Sequence, residues 1–137
     1  MSLLVPTDSQ LIFLDDIRTA GKLLNATLHL YIANHTPVIG DVLADYTAIE
    51  AAFGGYSPQT ITNWAAAITA SAKAKTIAGN YTFTATGAGL PVTVYGVYVL
   101  SATGELLYAE LNPTGGITLS SAGHTVSYQP VFTLTTE

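Results

Sequence analysis

Apolar positions follow two periods along this chain: a helical spacing near the start and a spacing of two over most of the rest. In residues 8–24, DSQLIFLDDIRTAGKLL, Leu11, Leu14 and Arg18 fall on one face, with Ile12, Ile17 and Leu24 nearby. That pattern predicts a helix. Asp8 or Ser9 is placed to cap its first turn, Lys22 lies where a cation suits the C-terminal dipole, and Gly21 weakens the last turn. Ahead of it, Leu3, Leu4 and Val5 form an apolar arm that ends at Pro6.

From Asn25 to Ile32 the period becomes two, with Leu28, Leu30 and Ile32 on one side and Thr27, His29 and Tyr31 on the other. Residues 34–41 read as a loop. DYTAIEAAFGGY, residues 45–56, reads as a short helical turn stopped by Gly54-Gly55. Short strands are predicted over 59–63 and 65–72, and Tyr81, Phe83 and Ala85 alternate with Thr82, Thr84 and Thr86. Residues 92–100 and 105–111 form the arms of a hairpin around Ser101-Ala102-Thr103-Gly104, and strands over 117–119 and 125–135 complete the set. Many strands with turn signals at short intervals predict a mainly β fold, an antiparallel β-sandwich or jelly-roll-like barrel with an N-terminal arm and one short N-terminal helix. With no repeat or linker, the 137 residues read as a single domain: arm and helix over 1–24, sandwich over 25–137.

Composition sharpens this picture. Only 9% of residues are charged, against roughly 25% in an average domain, while the hydrophobic share is an ordinary 49%. Thr, Ser, Gly, Ala, Asn and Tyr take the place of charge, as on an extracellular or virion surface. The net charge is −5 and the basic residues are Arg18, Lys22, Lys73 and Lys75 alone. Phosphate recognition needs clustered cations, so nucleic acid and an anionic membrane surface are excluded as partners; Lys73 and Lys75 read as a solvated loop or strand edge. There is no cysteine, hence no disulfide or thiolate metal site. The start lacks the features of a secretory signal, and no apolar run is long enough to span a bilayer.

No constellation for chemistry stands out. His29, His35 and His124 lack metal-ligand spacing and read as hydrogen-bonded or surface histidines. Asp15 and Asp16 are neighbours on a helix and point apart, so they do not form an acid–base pair. The glycine-rich pieces read as turns, no GxSxG elbow occurs, and the N-x-Thr sequons at Asn25, Asn34 and Asn80 are coincidental in so Thr-rich a chain. No catalytic residue, metal or cofactor is expected. Glu110 follows the apolar Leu106-Leu107-Tyr108-Ala109 and is expected to be partly buried, with Arg18, Lys22 or a backbone amide as partner. The tyrosines read as core filler or subunit contacts rather than as a sugar-binding platform.

The order LHLYIANHTP, DYTAIEAAFGGY, YTFTATG, VYGVYVLSATGELLYAE and VSYQPVFTLTT resembles a family of small virion structural proteins of tailed bacteriophages, of the capsid-decoration (cement) or fibre-like type. Tyr108 stands where the family favours Trp, and Leu111 where it favours Arg. The resemblance implies a homo-oligomer, with a trimer favoured, that clamps neighbouring subunits of the major capsid protein or other virion proteins. It implies no enzymatic activity and a place in the virion after synthesis in a host cytoplasm. The alternative it leaves is a tail, fibre or adaptor component with a receptor- or glycan-binding tip. On this reading Leu3, Leu4, Val5, Leu11, Leu14 and Arg18 are the candidate interface, and Tyr95, Tyr98, Tyr108 and Glu110 are the structural hairpin.

Overall fold

A computed structural model describes residues 7–70 and 73–134. Helix α1 (Thr7–Thr19) is followed by β1 (Thr27–Tyr31), α2 (Leu43–Thr47), β2 (Gln59–Thr60), β3 (Ile68–Ala70), β4 (Lys73–Ile77), β5 (Tyr81–Thr84) and β6 (Val92–Val94). The chain continues with β7 (Gly96–Leu100), β8 (Leu106–Leu111), β9 (Ile117–Leu119), β10 (Thr125–Tyr128) and β11 (Val131–Thr133). The strands form four sheets, ordered β2-β1-β7-β8, β10-β5, β11-β4-β3 and β6-β9. Every pairing among them is antiparallel. The protein is a mainly β, sandwich-like fold with a helix at its N-terminal end.

α1 ends five residues before the 8–24 pattern does. The N–H groups of Gly21 and Leu23 both bond the Ile17 carbonyl, at 3.2 and 3.1 Å, and Asn25 takes a positive φ of 56°. The chain therefore leaves the helix axis and drops Leu23, wholly buried, into the core. The Trp64 indole N–H donates to the Leu23 carbonyl at 3.0 Å and holds that departure in place. Asp15 binds the helix to the β3 approach: its Oδ1 accepts the Ala67 N–H at 2.9 Å and Arg18 Nε at 2.6 Å. The Ala67 bond first, and Arg18 second, hold its carboxyl below the usual range.

β1 shows why period two failed to separate inside from outside. Leu28 and Leu30 are wholly buried in the main core with Leu14, Ile61, Phe83, Val97, Val99 and Leu119. His29 and Tyr31, on the opposite face, are buried too, because Tyr31 joins a second cluster with Tyr46 and Tyr98. The alternation thus sorts residues between two cores. Ile32, predicted to continue the Leu28 and Leu30 face, is exposed beyond the strand end.

Three further expectations are corrected. The 45–56 helix is one turn, α2; after it the chain runs beside β1, with Ile32 N–H on Ile49 O and Ala51 N–H on Leu30 O, both at 2.9 Å. Backbone pairing with β1 outcompetes helical bonding there. The Lys73–Lys75 segment belongs to the central strand of its sheet, with Ala74 and Thr76 buried on the face opposite the two lysines. The spans predicted as single strands over 92–100 and 125–135 each break and cross to a second sheet, at Tyr95 and at Gln129-Pro130. Pro130 has no N–H for a ladder, and its carbonyl accepts from Ala78 instead, at 2.9 Å. At the other break, Gly96 is required by packing: a Cβ there would lie 2.4 Å from the Tyr31 ring.

Candidate functional site

The residues nominated as an interface separate in the fold. Leu3, Leu4 and Val5 lie outside the described residues. Leu14 is wholly buried in the chain's own core, Leu11 packs against it, and Arg18 is paired with Asp15. This face of α1 is taken up by β4 and β3, which leaves it unavailable to a neighbour. What the helix presents outward is Ile12 and Phe13, 62% and 53% exposed. The helical pattern located an apolar face correctly but could not say that the same chain covers it.

The hairpin residues also take different places. Tyr98 lies in the second cluster, and Tyr108 packs edge-on to Phe132 with ring centroids 5.6 Å apart. Tyr95 marks the crossing between β6 and β7, donating its N–H to Tyr31 O and accepting Asn112 N–H. Glu110 is exposed rather than partly buried, and its hydrogen-bond partner is the Tyr128 hydroxyl rather than a cation. Lys22 pairs with Glu105 at 2.8 Å; the Ser101 and Thr103 hydroxyls contact the same carboxylate, tying the hairpin tip to the end of α1.

The most organised polar structure lies over the second cluster, where residues 33–50 cross the outer face of β1 and β7. Two carboxylates pin this excursion. Glu50 Oε1 accepts from His29 Nδ1 at 2.8 Å and from the Tyr56 hydroxyl at 2.7 Å, while Thr27 Oγ1 and His29 Nε2 are 2.9 Å apart. Burial alone would raise the Glu50 pKa; the bonds from His29 and Tyr56, with the Tyr98 hydroxyl acting in the same sense, leave it lowered. The Tyr98 hydroxyl itself is buried with no hydrogen bond of ordinary geometry. Asp41 Oδ2 accepts from the Tyr46 hydroxyl at 2.6 Å, from His35 Nε2 at 2.8 Å and from Val38 N–H at 3.0 Å. Led by the Tyr46 bond, these hold its pKa down to about 2. Tyr31 completes the arrangement by donating to the His35 carbonyl at 3.0 Å, and burial pushes its own pKa up to about 12.

Thr27, His29 and Glu50 share the connectivity of a hydroxyl–imidazole–carboxylate relay. The His29 ring lies against Tyr98, centroids 4.7 Å apart and 21° from parallel, and only about a tenth of the side chain is exposed. The relay binds the 49–51 segment to β1, and its geometry is that of a clamp. Among the described residues no group of three or more His, Asp or Glu side chains is gathered as a metal site would require.

What the pinned excursion displays is apolar. Val38 and Val42 are about 60% exposed and Ile39 is fully exposed, next to a shallow hollow bounded by Pro37, Tyr46, Leu106 and Ala109. A loop tip with free valine and isoleucine side chains is ordinarily soft. Here it is set on a carboxylate that takes three hydrogen bonds. Sequence reasoning missed Asp41, Tyr46, Glu50 and Tyr56. Two of these contacts were within reach, since His35–Asp41 and Asp41–Tyr46 are separated by six and five residues. His29–Glu50 bridges 21 residues and had no local signal.

Among the described residues no helix is long and apolar enough to cross a membrane. Family models, curated proteins and solved structures contain no match to the chain.

Proposed function

We propose that this protein is an assembly module of a virion, a capsid decoration (cement) protein that clamps neighbouring shell subunits as a homo-oligomer. The observation that carries the reading is the loop at Val38, Ile39 and Val42. It exposes branched apolar side chains on a support rigid enough to bind without a large ordering cost. The outward Ile12 and Phe13 of α1 offer a second apolar contact. A weakly charged, threonine-rich surface suits extended contacts because few charges must be desolvated. The sequence resemblance to phage decoration and fibre-like proteins directs the reading to a virion. The tyrosine rings are turned inward: Tyr31, Tyr46 and Tyr98 are buried and none of the others is fully exposed, which argues against a glycan-stacking platform.

Quantitative mass spectrometry of purified particles from the virus that encodes the chain tests this. A copy number of the same order as the major shell protein is the expected result. A handful of copies would place it in the tail or fibre instead, and absence from the particle would overturn the virion reading.

A further inference from the structure

A cavity of about 150 Å³ opens between β6, β9 and β10 on one side and β7 and β8 on the other. Leu30, Val97 and Val126, all at least nine-tenths buried, back it; Pro113 and Ile117 give it accessible apolar surface, and Glu110, Asn112 and Tyr128 line it where it meets solvent. The floor is therefore hydrocarbon and the mouth carries a carboxylate. Glu110 uses Oε2 to accept the Tyr128 hydroxyl, and Oε1 accepts no hydrogen bond among the described residues. Among the described residues no cation pairs with Glu110: Arg18 is bound to Asp15 and Lys22 to Glu105, and neither Lys73 nor Lys75 forms an ion pair with it.

We propose that this slot binds an alkylammonium group, with the aliphatic stem against Pro113, Ile117 and Val126 and the ammonium on Glu110 Oε1. Three physical points select this class. A cavity of this size accepts a benzene-sized apolar group, and hence a four-carbon stem. The carboxylate repels anions and binds a cation more strongly than a neutral donor. With Oε2 engaged by Tyr128, a single oxygen remains, which suits a compact ammonium better than the two-pronged guanidinium. The same chemistry is offered by a small free amine and by a lysine side chain of a partner protein. The inference is independent of the virion reading, and either stands if the other fails.

The test is a titration of the ¹⁵N-labelled protein with n-butylammonium at pH 7, following the Val97 and Val126 amide resonances. Saturable shifts are expected, with n-butanol binding at least about tenfold more weakly. Glu110→Gln, an exposed substitution that keeps an acceptor for Tyr128, is expected to weaken butylammonium to the level of butanol while the spectrum stays that of the folded protein. Equal binding of butanol and butylammonium, indifference to Glu110→Gln, or no saturable shift at these amides would each overturn the proposal. A parallel titration with Nα-acetyl-lysine N-methylamide identifies the source. Affinity matching butylammonium assigns the slot to a partner's lysine, and affinity lower by about tenfold or more assigns it to a free amine.

Discussion

The Tyr46 hydroxyl donates to Asp41 Oδ2 at 2.6 Å, and this bond ties the single turn of α2 to a loop that exposes Val38, Ile39 and Val42. Tyr46→Phe keeps the ring in its cluster with Tyr31 and Tyr98 but removes the bond. Amide exchange over residues 38–42 should then accelerate by on the order of tenfold, while β1 and β7 remain protected. Uniform acceleration across the sheet would show that the bond supports the whole fold and not the loop.

Acid should act through the same carboxylate. Asp41 has a folded-state pKa of about 2, below its ordinary 3.8, so its contribution is fully present above about pH 4 and is lost as pH falls toward 2. In that window the unfolded chain takes up the proton that the folded loop excludes. Glu50, also lowered, adds in the same direction. Thermal unfolding of the parent and of Asp41→Asn should differ most at pH 5 and converge near pH 2. A difference that is constant with pH would contradict this assignment.

Tyr98 separates volume from polarity. Its ring is wholly buried against His29 and Tyr46, and among the described residues its hydroxyl makes no hydrogen bond of ordinary geometry. Tyr98→Ala should destabilise by about 3–5 kcal/mol and reduce assembly along with stability. Tyr98→Phe should remain within about 1 kcal/mol of the parent. Denaturant unfolding of both variants checks the pair; a large loss in Tyr98→Phe would mean that the hydroxyl has a functioning partner, with Glu50 the nearest candidate.

Trp64 is the chain's single tryptophan, and its N–H satisfies the Leu23 carbonyl where the chain leaves α1. Trp64→Phe removes that bond, while the Ala26 N–H still donates to the same carbonyl at 3.1 Å, and should cost about 0.5–1.5 kcal/mol. Circular dichroism during denaturant unfolding measures it, and an unchanged midpoint would show that another donor replaces the indole.

Ile39→Asp tests the proposed assembly surface without touching the core. Ile39 is fully exposed, so the unfolding midpoint should stay where it is. Occupancy on purified particles should fall by about tenfold or more, because a charge would be placed in a desolvated contact. Retained occupancy would move the contact to Ile12 and Phe13 on α1.

Much of the fold was legible in the chain itself. The period of two over 25–32 and 81–86, the turn at 101–104 and the 117–119 strand follow from local rules, because alternation and turn chemistry are carried by neighbouring residues. So was the existence of α1. Its end at Thr19 was legible only in part: Gly21 marked a weak last turn, but the Trp64 bond that holds Leu23 in the core comes from 41 residues away.

What only the tertiary structure decided is which surfaces the chain covers for itself. Leu14 and Ile12 both read as apolar helix positions; β4 and β3 bury one, and the other is left to solvent. His29 and Tyr31 read as an outward face until residues 33–50 cross over them and bring Asp41 and Glu50 within hydrogen-bond reach of His35 and His29. Glu110 read as a partly buried charge partnered by Arg18, Lys22 or a backbone amide; it is exposed, and the break at Gln129-Pro130 leaves Tyr128 at the end of its strand, bonded to it. Periodicity records that a face is apolar or polar. Whether it becomes core, clamp or contact surface depends on which distant segment packs on it, and that choice is made by the whole chain at once.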